Sequence, residues 1–477
     1  MTDPKGSDAL PLVPPDADTG AIATMGLDLQ EGRKIPRKQV FSWALWDWAT
    51  QPFNSVILTF VFVPLYLTTG AFLGPELQGL EEGDPAFDTG IAALATALGV
   101  ANALAALVIA VAAPIIGQRS DGTGRRKFWL GVNTGLLVLC MLALFFVQPS
   151  PGSFFILGIS LVAIGSVFNE IAGVNYNAML VQVSSPKTVG RVSGLGWGFG
   201  YLGGIVALTI VIVAQLSGWF GLTDDDTLAI RVVAVGCAVW TVIFAIPIFL
   251  NVPELPASPD KKRLSIAQSY GKLFRDIARL YRETPTTFWF LLASAVFRDG
   301  LAGVFTYGAV IAAAVYGFGF MQVVIFGIAA NLVAGVSTIV SGRLDDRFGP
   351  RAIILFSLGG LVAAGSVVFL FRDLGDTVFW VGGLVLCLFV GPAQAASRSF
   401  LARVSPAGKE GEVFGLYATT GRAASPLSPA LWASFIAIAS AAGLAGPTAY
   451  GILGIVLVLA VGFVLMLFVK IPKHERA

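Results

Sequence analysis

Long apolar runs separated by short polar ones dominate the chain, and their lengths predict membrane-spanning helices. A helix needs about 20 apolar residues to cross the hydrocarbon core of a bilayer. Runs of that kind fall at roughly 41–69, 89–117, 127–148, 153–183, 193–216 and 229–251 in the first half. In the second half they fall at roughly 286–315, 318–341, 351–371, 377–402, 412–440 and 447–470. The expected fold is therefore an all-α membrane protein of twelve transmembrane helices. One long polar stretch, 252–285, divides the twelve into bundles of six at 41–251 and 286–470. Within that stretch Leu264, Leu273, Ile277 and Leu280 lie among Lys and Arg. The pattern fits either an amphipathic helix on the membrane surface or a plain linker. Residues 1–40 are rich in Pro, Asp and Gly without the apolar core of a signal peptide, which predicts a disordered cytosolic tail. Residues 471–477 form a second, short tail.

The two halves echo each other. Gly117-Gln-Arg-Ser-Asp121-Gly-Thr-Gly124-Arg125-Arg126 follows the second span, and Gly342-Arg-Leu-Asp-Asp346-Arg347-Phe-Gly349-Pro-Arg351 follows the eighth. Asp lies four residues after the first Gly, and another Gly three residues after the Asp, in both. A second echo pairs Ser185-Pro186…Gly190-Arg-Val192-Ser-Gly194-Leu195 with Ser405-Pro406…Gly411-Glu-Val413-Phe-Gly415-Leu416. Two echoes at equivalent loops indicate a parallel repeat of six helices, which makes the bundles pseudo-symmetric.

Composition and charge agree. Hydrophobic residues make up 56% and charged residues 13%, about half the charged share of a soluble domain. The 55 glycines suit close packing of membrane helices. Of 31 basic residues, 26 fall on one side of the predicted topology, which places both termini and the central loop in the cytoplasm. A net charge of +2 argues against nucleic-acid binding. The one histidine, His474, excludes a His-built metal or catalytic site, and no nucleotide-binding loop is present. Cys140, Cys237 and Cys387 all sit in apolar runs, so no disulfide framework is indicated. Neither an enzyme nor a cofactor is expected, and a monomer in the bilayer is.

At Asp121, Gly124, Arg125 and Arg126 the chain resembles the major facilitator superfamily, whose members carry a motif between helices 2 and 3. An acidic group at a helix end can meet basic residues or the N-terminus of a neighbouring helix, so Gly117, Asp121, Gly124, Arg125 and Arg126, with Asp346 and Arg347 in the second half, are candidates for a gate. The same residues would also serve as a basic turn that only sets topology. A narrower resemblance, to the vacuole effluxer family related to autophagy-linked vacuolar amino-acid exporters, rests on further segments. They are Ser42-Trp43-Ala-Leu-Trp46-Asp47-Trp48-Ala49, Phe297-Arg298-Asp299-Gly300, Gln394-Ala-Ala-Ser397-Arg398-Ser399, Gly408-Lys409-Glu410-Gly411-Glu412-Val-Phe414-Gly415 and Gly421-Arg422. It implies the major facilitator fold, helices 1, 4, 7 and 10 around a cavity, and secondary active or facilitative efflux of amino acids or similar small solutes; the Phe- and Trp-rich composition also permits a lipid flippase on the same fold. The compact loops look bacterial, so a cytoplasmic (inner) membrane is expected.

Ionisable residues deep in a membrane usually face a cavity or a partner. Here they are Asp47, Glu170, Arg298, Asp299, Arg398 and Arg422. Trp43, Asp47, Gln51 and Asn54 share one helix face, as do Glu170, Gly173 and Asn177. An amino-acid-like cargo needs an arginine to clamp its carboxylate and an acid to accept its ammonium. Asp47, Gln51, Asn54, Glu170, Asn177, Arg298, Asp299 and Arg422 are the candidates for cargo binding or coupling, with protons as a candidate ion. Interhelical ion pairs that only fix packing are the alternative, and Gln394 and Arg398 lean toward it. Glu170, nearest the bilayer centre, leads Asp47 as the coupling carboxylate. Trp43, Trp46 and Trp48 are equally expected as lipid-interface anchors and as cargo-stacking groups. The topology has a direct check: impermeant thiol reagents on intact cells should label a cysteine placed near Glu81 but not one near Lys262, and labelling at both would refute it.

Overall fold

Twelve helices long and apolar enough to cross a membrane are present among the described residues. They are α1 (Arg37–Leu67), α2 (Pro85–Thr123), α3 (Arg126–Phe146), α4 (Ser153–Gln182), α5 (Val189–Gln215) and α6 (Thr227–Asn251). The second half holds α7 (Pro285–Ala314), α8 (Ile325–Phe348), α9 (Pro350–Leu370), α10 (Asp376–Arg403), α11 (Glu410–Ala441) and α12 (Pro447–Phe468). The structure, a computed structural model, describes residues 25–80, 84–218, 227–254, 266–318 and 320–470. Apolar side chains such as Leu104, Leu107 and Phe356 are exposed on the outside of the bundle. That is the arrangement a lipid solvent requires, with backbone groups satisfied inside each helix.

Helix ends follow local chemistry. Pro85, Pro285 and Pro350 occupy first-turn positions, where a missing N–H costs nothing. Asp84 caps α2 through the Ala86 N–H at 2.8 Å. The apolar run predicts that the second span stops near 117, yet α2 continues to Thr123 and is closed by Gly124 at φ +62°. Gly117 and Asp121 thus lie on a helix rather than in a loop. Likewise the run of α8 carries Gly342 and Asp346 to the helix end at Phe348. Helical backbone bonds do not depend on hydrophobicity, so both helices project past the apolar zone and carry their acids to the other half.

Two membrane helices are interrupted. α1 is α-helical to Pro52 and π-helical over Phe53–Phe60 and Val63–Leu67. α11 consists of two pieces, Glu410–Ala424 and Leu427–Ala441, parted at Ser425–Pro426. Discontinuous helices of this sort place polar backbone where a cavity can use it.

The halves meet along α2 with α11 and α5 with α8. Small residues set the approach. A Cβ on Gly415 would lie 2.5 Å from Pro114 Cα, and one on Gly194 would lie 2.6 Å from the Thr338 carbonyl oxygen. Residues 25–30 correct the expectation of a disordered tail over 1–40. Leu27 is buried, Gly26 N–H donates to the Ser405 carbonyl at 3.0 Å, and a short turn spans Asp28–Gln30. Residues 37–40 already belong to α1, and 1–24 lies outside the described residues, as does the tail at 471–477. Of the 252–285 connection, Ile266–Glu283 is a helix and 255–265 lies outside the described residues. Gly415→Ala should lower the apparent Tm of the detergent-purified protein through an overpacking cost of about 1–3 kcal/mol. Gly99→Ala, where an added Cβ meets nothing within 4 Å, should leave it unchanged.

Candidate functional site

One end of the bundle is tied shut by two ion clusters related by the internal repeat. In the first, the Asp121 carboxylate accepts the N–H groups of Gly411 at 3.0 Å and Glu412 at 2.9 Å, in the first turn of α11. Arg126 bridges Asp121 at 2.5 Å and Glu410 at 2.6 Å, all three being buried. A carboxylate at a helix N-terminus meets unpaired N–H groups and a positive dipole end. A Cβ at Gly117 would fall on the Gly411 carbonyl oxygen, so glycine there lets α2 touch α11. In the second cluster, Asp346 accepts from Gly190 N–H at 2.7 Å and Arg191 N–H at 3.3 Å at the start of α5, and from Arg191 Nε at 2.9 Å. Arg403 approaches Asp345 at 3.6 Å, and Ser399 donates to the same acid. Each half therefore docks its acidic motif on the other half's Ser-Pro…Gly echo. Arg125 and Arg347, grouped with the gate by sequence, are exposed, and Arg347 lies over the Phe348 ring instead. Glu410, Asp345 and Arg403 belong to the clusters although sequence did not single them out.

Above this latch end lies a cavity of about 370 Å³ between the halves, within the range of small-molecule sites. All of the predicted binding or coupling residues line it, namely Asp47, Gln51, Asn54, Glu170, Asn177, Arg298, Asp299 and Arg422, together with Gln394 and Arg398. Their bonds differ. Glu170 accepts from Arg422 at 2.5 Å, an ion pair linking α4 to α11 across the halves, each side chain about one-third exposed. Arg398 of α10 pairs with Asp47 of α1 at 3.1 Å. Gln394 accepts from the Tyr201 hydroxyl at 2.7 Å, Gln51 donates to Ser55, and Asn54 accepts from Asn169. Arg298 donates to the Tyr417 carbonyl at 2.9 Å and lies 3.7 Å from the Tyr417 ring centroid. No carboxylate lies within ion-pair distance of Arg298 among the described residues.

Asp299 is committed elsewhere. Its carboxylate accepts the Ser428 N–H at 2.6 Å, in the first turn of the outer piece of α11, and Ser428 Oγ donates back to the Asp299 carbonyl at 3.0 Å. Adjacent residues of α7 thus hold the two pieces of α11, Arg298 the inner and Asp299 the outer. Arg422 stands in the last turn of the inner piece, where a cation complements the dipole. Of the three tryptophans, Trp43 and Trp46 are not lipid anchors, while Trp48 is half-buried. Trp43 and Trp46 are buried and stack on Tyr176, and Trp48 stacks on Trp240.

A repeated six-helix bundle closed at one end over a charged central cavity matches solved transporters. The fold aligns with the human organic anion transporter MFSD10 (TETRAN) at a TM-score of 0.68 and 16% identity, covering 90% of this chain and 99% of that one. It aligns with the major facilitator transporter FucP, captured in the outward conformation, at 0.61 and 15%, covering 91% and 99%. That fold, together with the family match and the MFS-type relative that follow, makes the chain a major facilitator superfamily transporter, an integral membrane protein and not an enzyme. Residues 182–477 match the family described as Vacuole effluxer Atg22 like, and the chain belongs to that family. A Bacillus subtilis relative described as the uncharacterized MFS-type transporter YxiO is 27% identical over 447 residues, 91% of this chain and 95% of its own length. Autophagy-related protein 22 of Cryptococcus neoformans is 26% identical over 326 residues, 63% of this chain and 55% of its own.

Asp121→Asn removes the charge that seats on α11 and partners Arg126, weakening the closed end by up to about 3 kcal/mol. Spin labels on α2 and α11 at the latch end should separate; an unchanged distance distribution would reduce the motif to a topology signal.

Proposed function

We propose that this transporter exports amino acids or similar small zwitterions by alternating access, driven by protons, from a bacterial cytoplasm in which both termini and the latch end lie. The observation that carries the reading is Arg298. It lines the cavity, has no acidic partner among the described residues, and is held by Tyr417 at one face and one donor. Its remaining donors suit bidentate binding of a carboxylate. The basic side of the sequence coincides with the latch end, which supports a cytoplasmic latch, and the cross-half bonds described above run from there to the level of Glu170 and Arg422. That arrangement is closed to the cytoplasm. The family description as effluxers supports the direction of flux. The charged and amide side chains set into the cavity wall favour a polar cargo over a lipid.

Glu170 is the coupling carboxylate in this scheme. It ties the halves through Arg422, and adding a proton to it removes one charge of that tie. An acid that pairs across the halves in one state and takes a proton in the other couples proton flow to the conformational change. Proteoliposome assays with radiolabelled amino acids separate the roles. Arg298→Ala should weaken cargo binding by roughly tenfold or more, the worth of a charged hydrogen bond. Glu170→Gln should abolish the response to a pH gradient while leaving exchange at equal pH. Gradient-driven transport that survives Glu170→Gln would remove the coupling assignment, and binding insensitive to Arg298 would remove the clamp.

A further inference from the structure

Arg398 belongs to the second half by sequence, yet its guanidinium is lodged wholly in the first. Nη1 donates to Asp47 Oδ2 and to Asn177 Oδ1, both at 3.1 Å. Nε donates to Ser193 Oγ at 3.1 Å and Nη2 to the Ser193 carbonyl at 2.7 Å. The cation lies 4.9 Å from the Trp43 ring, 5.5 Å from Tyr176 and 5.6 Å from Trp197, all within cation–π range. The Tyr176 hydroxyl donates to Asp47 at 2.8 Å and fixes the carboxylate. The remaining space is provided by Gly196, where a Cβ would lie 2.7 Å from Arg398 Nη2 and 2.9 Å from both Trp43 and Tyr176. One carboxylate, three further oxygen acceptors, three aromatic faces and a glycine-made hollow thus form a complete cation socket on α1, α4 and α5.

Nothing in the socket comes from the second half except its occupant. When the halves part at the latch end, α10 withdraws with its half and the socket keeps its shape, because Trp43 and Trp46 are stacked on Tyr176 and Trp43 Nε1 donates to the Tyr176 carbonyl at 3.0 Å. An empty socket would leave Asp47 facing three aromatic rings without a counter-charge, an arrangement a cation relieves. We propose that the socket is a binding subsite for the guanidinium or ammonium head of an organic cation in the state open at the latch end, with Arg398 as its tethered occupant in the closed state. Cargo and Arg398 then compete for one position, and a bound cation holds the latch end open until it leaves. The assignment rests on the reading of this cavity as a cargo site and names the group that receives the cationic head.

The probe is methylguanidinium, with the neutral, shape-matched N-methylurea beside it at equal ionic strength. In purified Arg398→Ala protein, methylguanidinium should change tryptophan fluorescence saturably and raise the apparent Tm by occupying the folded state. Its affinity should exceed that of N-methylurea by roughly tenfold or more. Asp47→Asn in the same background should abolish the difference. The wild-type protein gives a reading that does not depend on the variant folding: saturating methylguanidinium should displace Arg398 and lengthen spin-label distances between α5 and α8 at the latch end. Equal response to the two probes, binding indifferent to Asp47→Asn, or unchanged wild-type distances would each overturn the socket. Methylguanidinium carries no carboxylate, so these readings stand apart from whether the transported cargo is a zwitterion.

Discussion

A charge inside a bilayer must have a partner, and at three places here a partner comes from the opposite half of the protein. Breaking a buried pair by removing one member costs about 3–5 kcal/mol, because the other charge is stranded. Arg126 with Asp121 and Glu410, Arg398 with Asp47, and Arg422 with Glu170 each join a first-half group to a second-half group. The bundles cannot rock apart at the latch end while those charges lack replacements. The same constraint that makes ionisable residues rare in membranes therefore makes the few that remain determinants of which end is closed.

The duplication explains how such ties can be built twice. Asp121 seats on the N-terminus of α11 and Asp346 on the N-terminus of α5, so each acidic motif meets the other copy's loop. A helix start offers unpaired N–H groups at no cost to the helix that owns them. The grip is therefore strong when closed, and reversible because water can take over those N–H groups when open. Farther in, symmetry fails: among the described residues the Arg398 socket of the first half has no copy in the second, and α11 is broken while α5, its counterpart, runs unbroken over Val189–Gln215. The functional asymmetry of the cavity arises from these departures.

Helix number and the gate motif were legible because hydropathy and a repeated spacing are local properties. Helix ends were less so, since α2 stays helical for six residues beyond its apolar run. The partners were largely hidden. Glu410 is 284 residues from Arg126 and Asn177 is 221 from Arg398, separations at which sequence spacing carries no geometry. Trp43 and Trp46 read equally well as interfacial anchors, because a membrane-end tryptophan satisfies that rule whichever way it faces. For Trp43, the helix face shared with Asp47 was the better signal. The break in α11 was not read, because 412–440 is one apolar run; Pro426 within it was the available signal for the N-terminus that claims Asp299. A helix face can nominate a carboxylate for the cavity, but only the fold reveals that a backbone N–H has already taken it.

The three ties also lie at three depths, which bears on how one cargo could govern both ends. At the latch, water can replace the lost partners once the end opens. At the socket, water is a poor substitute among three aromatic rings, and a cation is the fitting replacement. At Glu170 and Arg422, both about one-third exposed on the cavity wall, a proton on the acid relieves one stranded charge and cavity water takes over the other. On the proposed scheme, a proton that reaches Glu170 from the open side releases that tie, so the empty carrier opens toward the cytoplasm on a proton. Cytoplasmic cargo then fills the socket that Arg398 has left, and loss of the proton restores the Glu170–Arg422 pair that closes the latch end. Without a proton the stranded charges hold that end closed, so leak is limited by the same electrostatics.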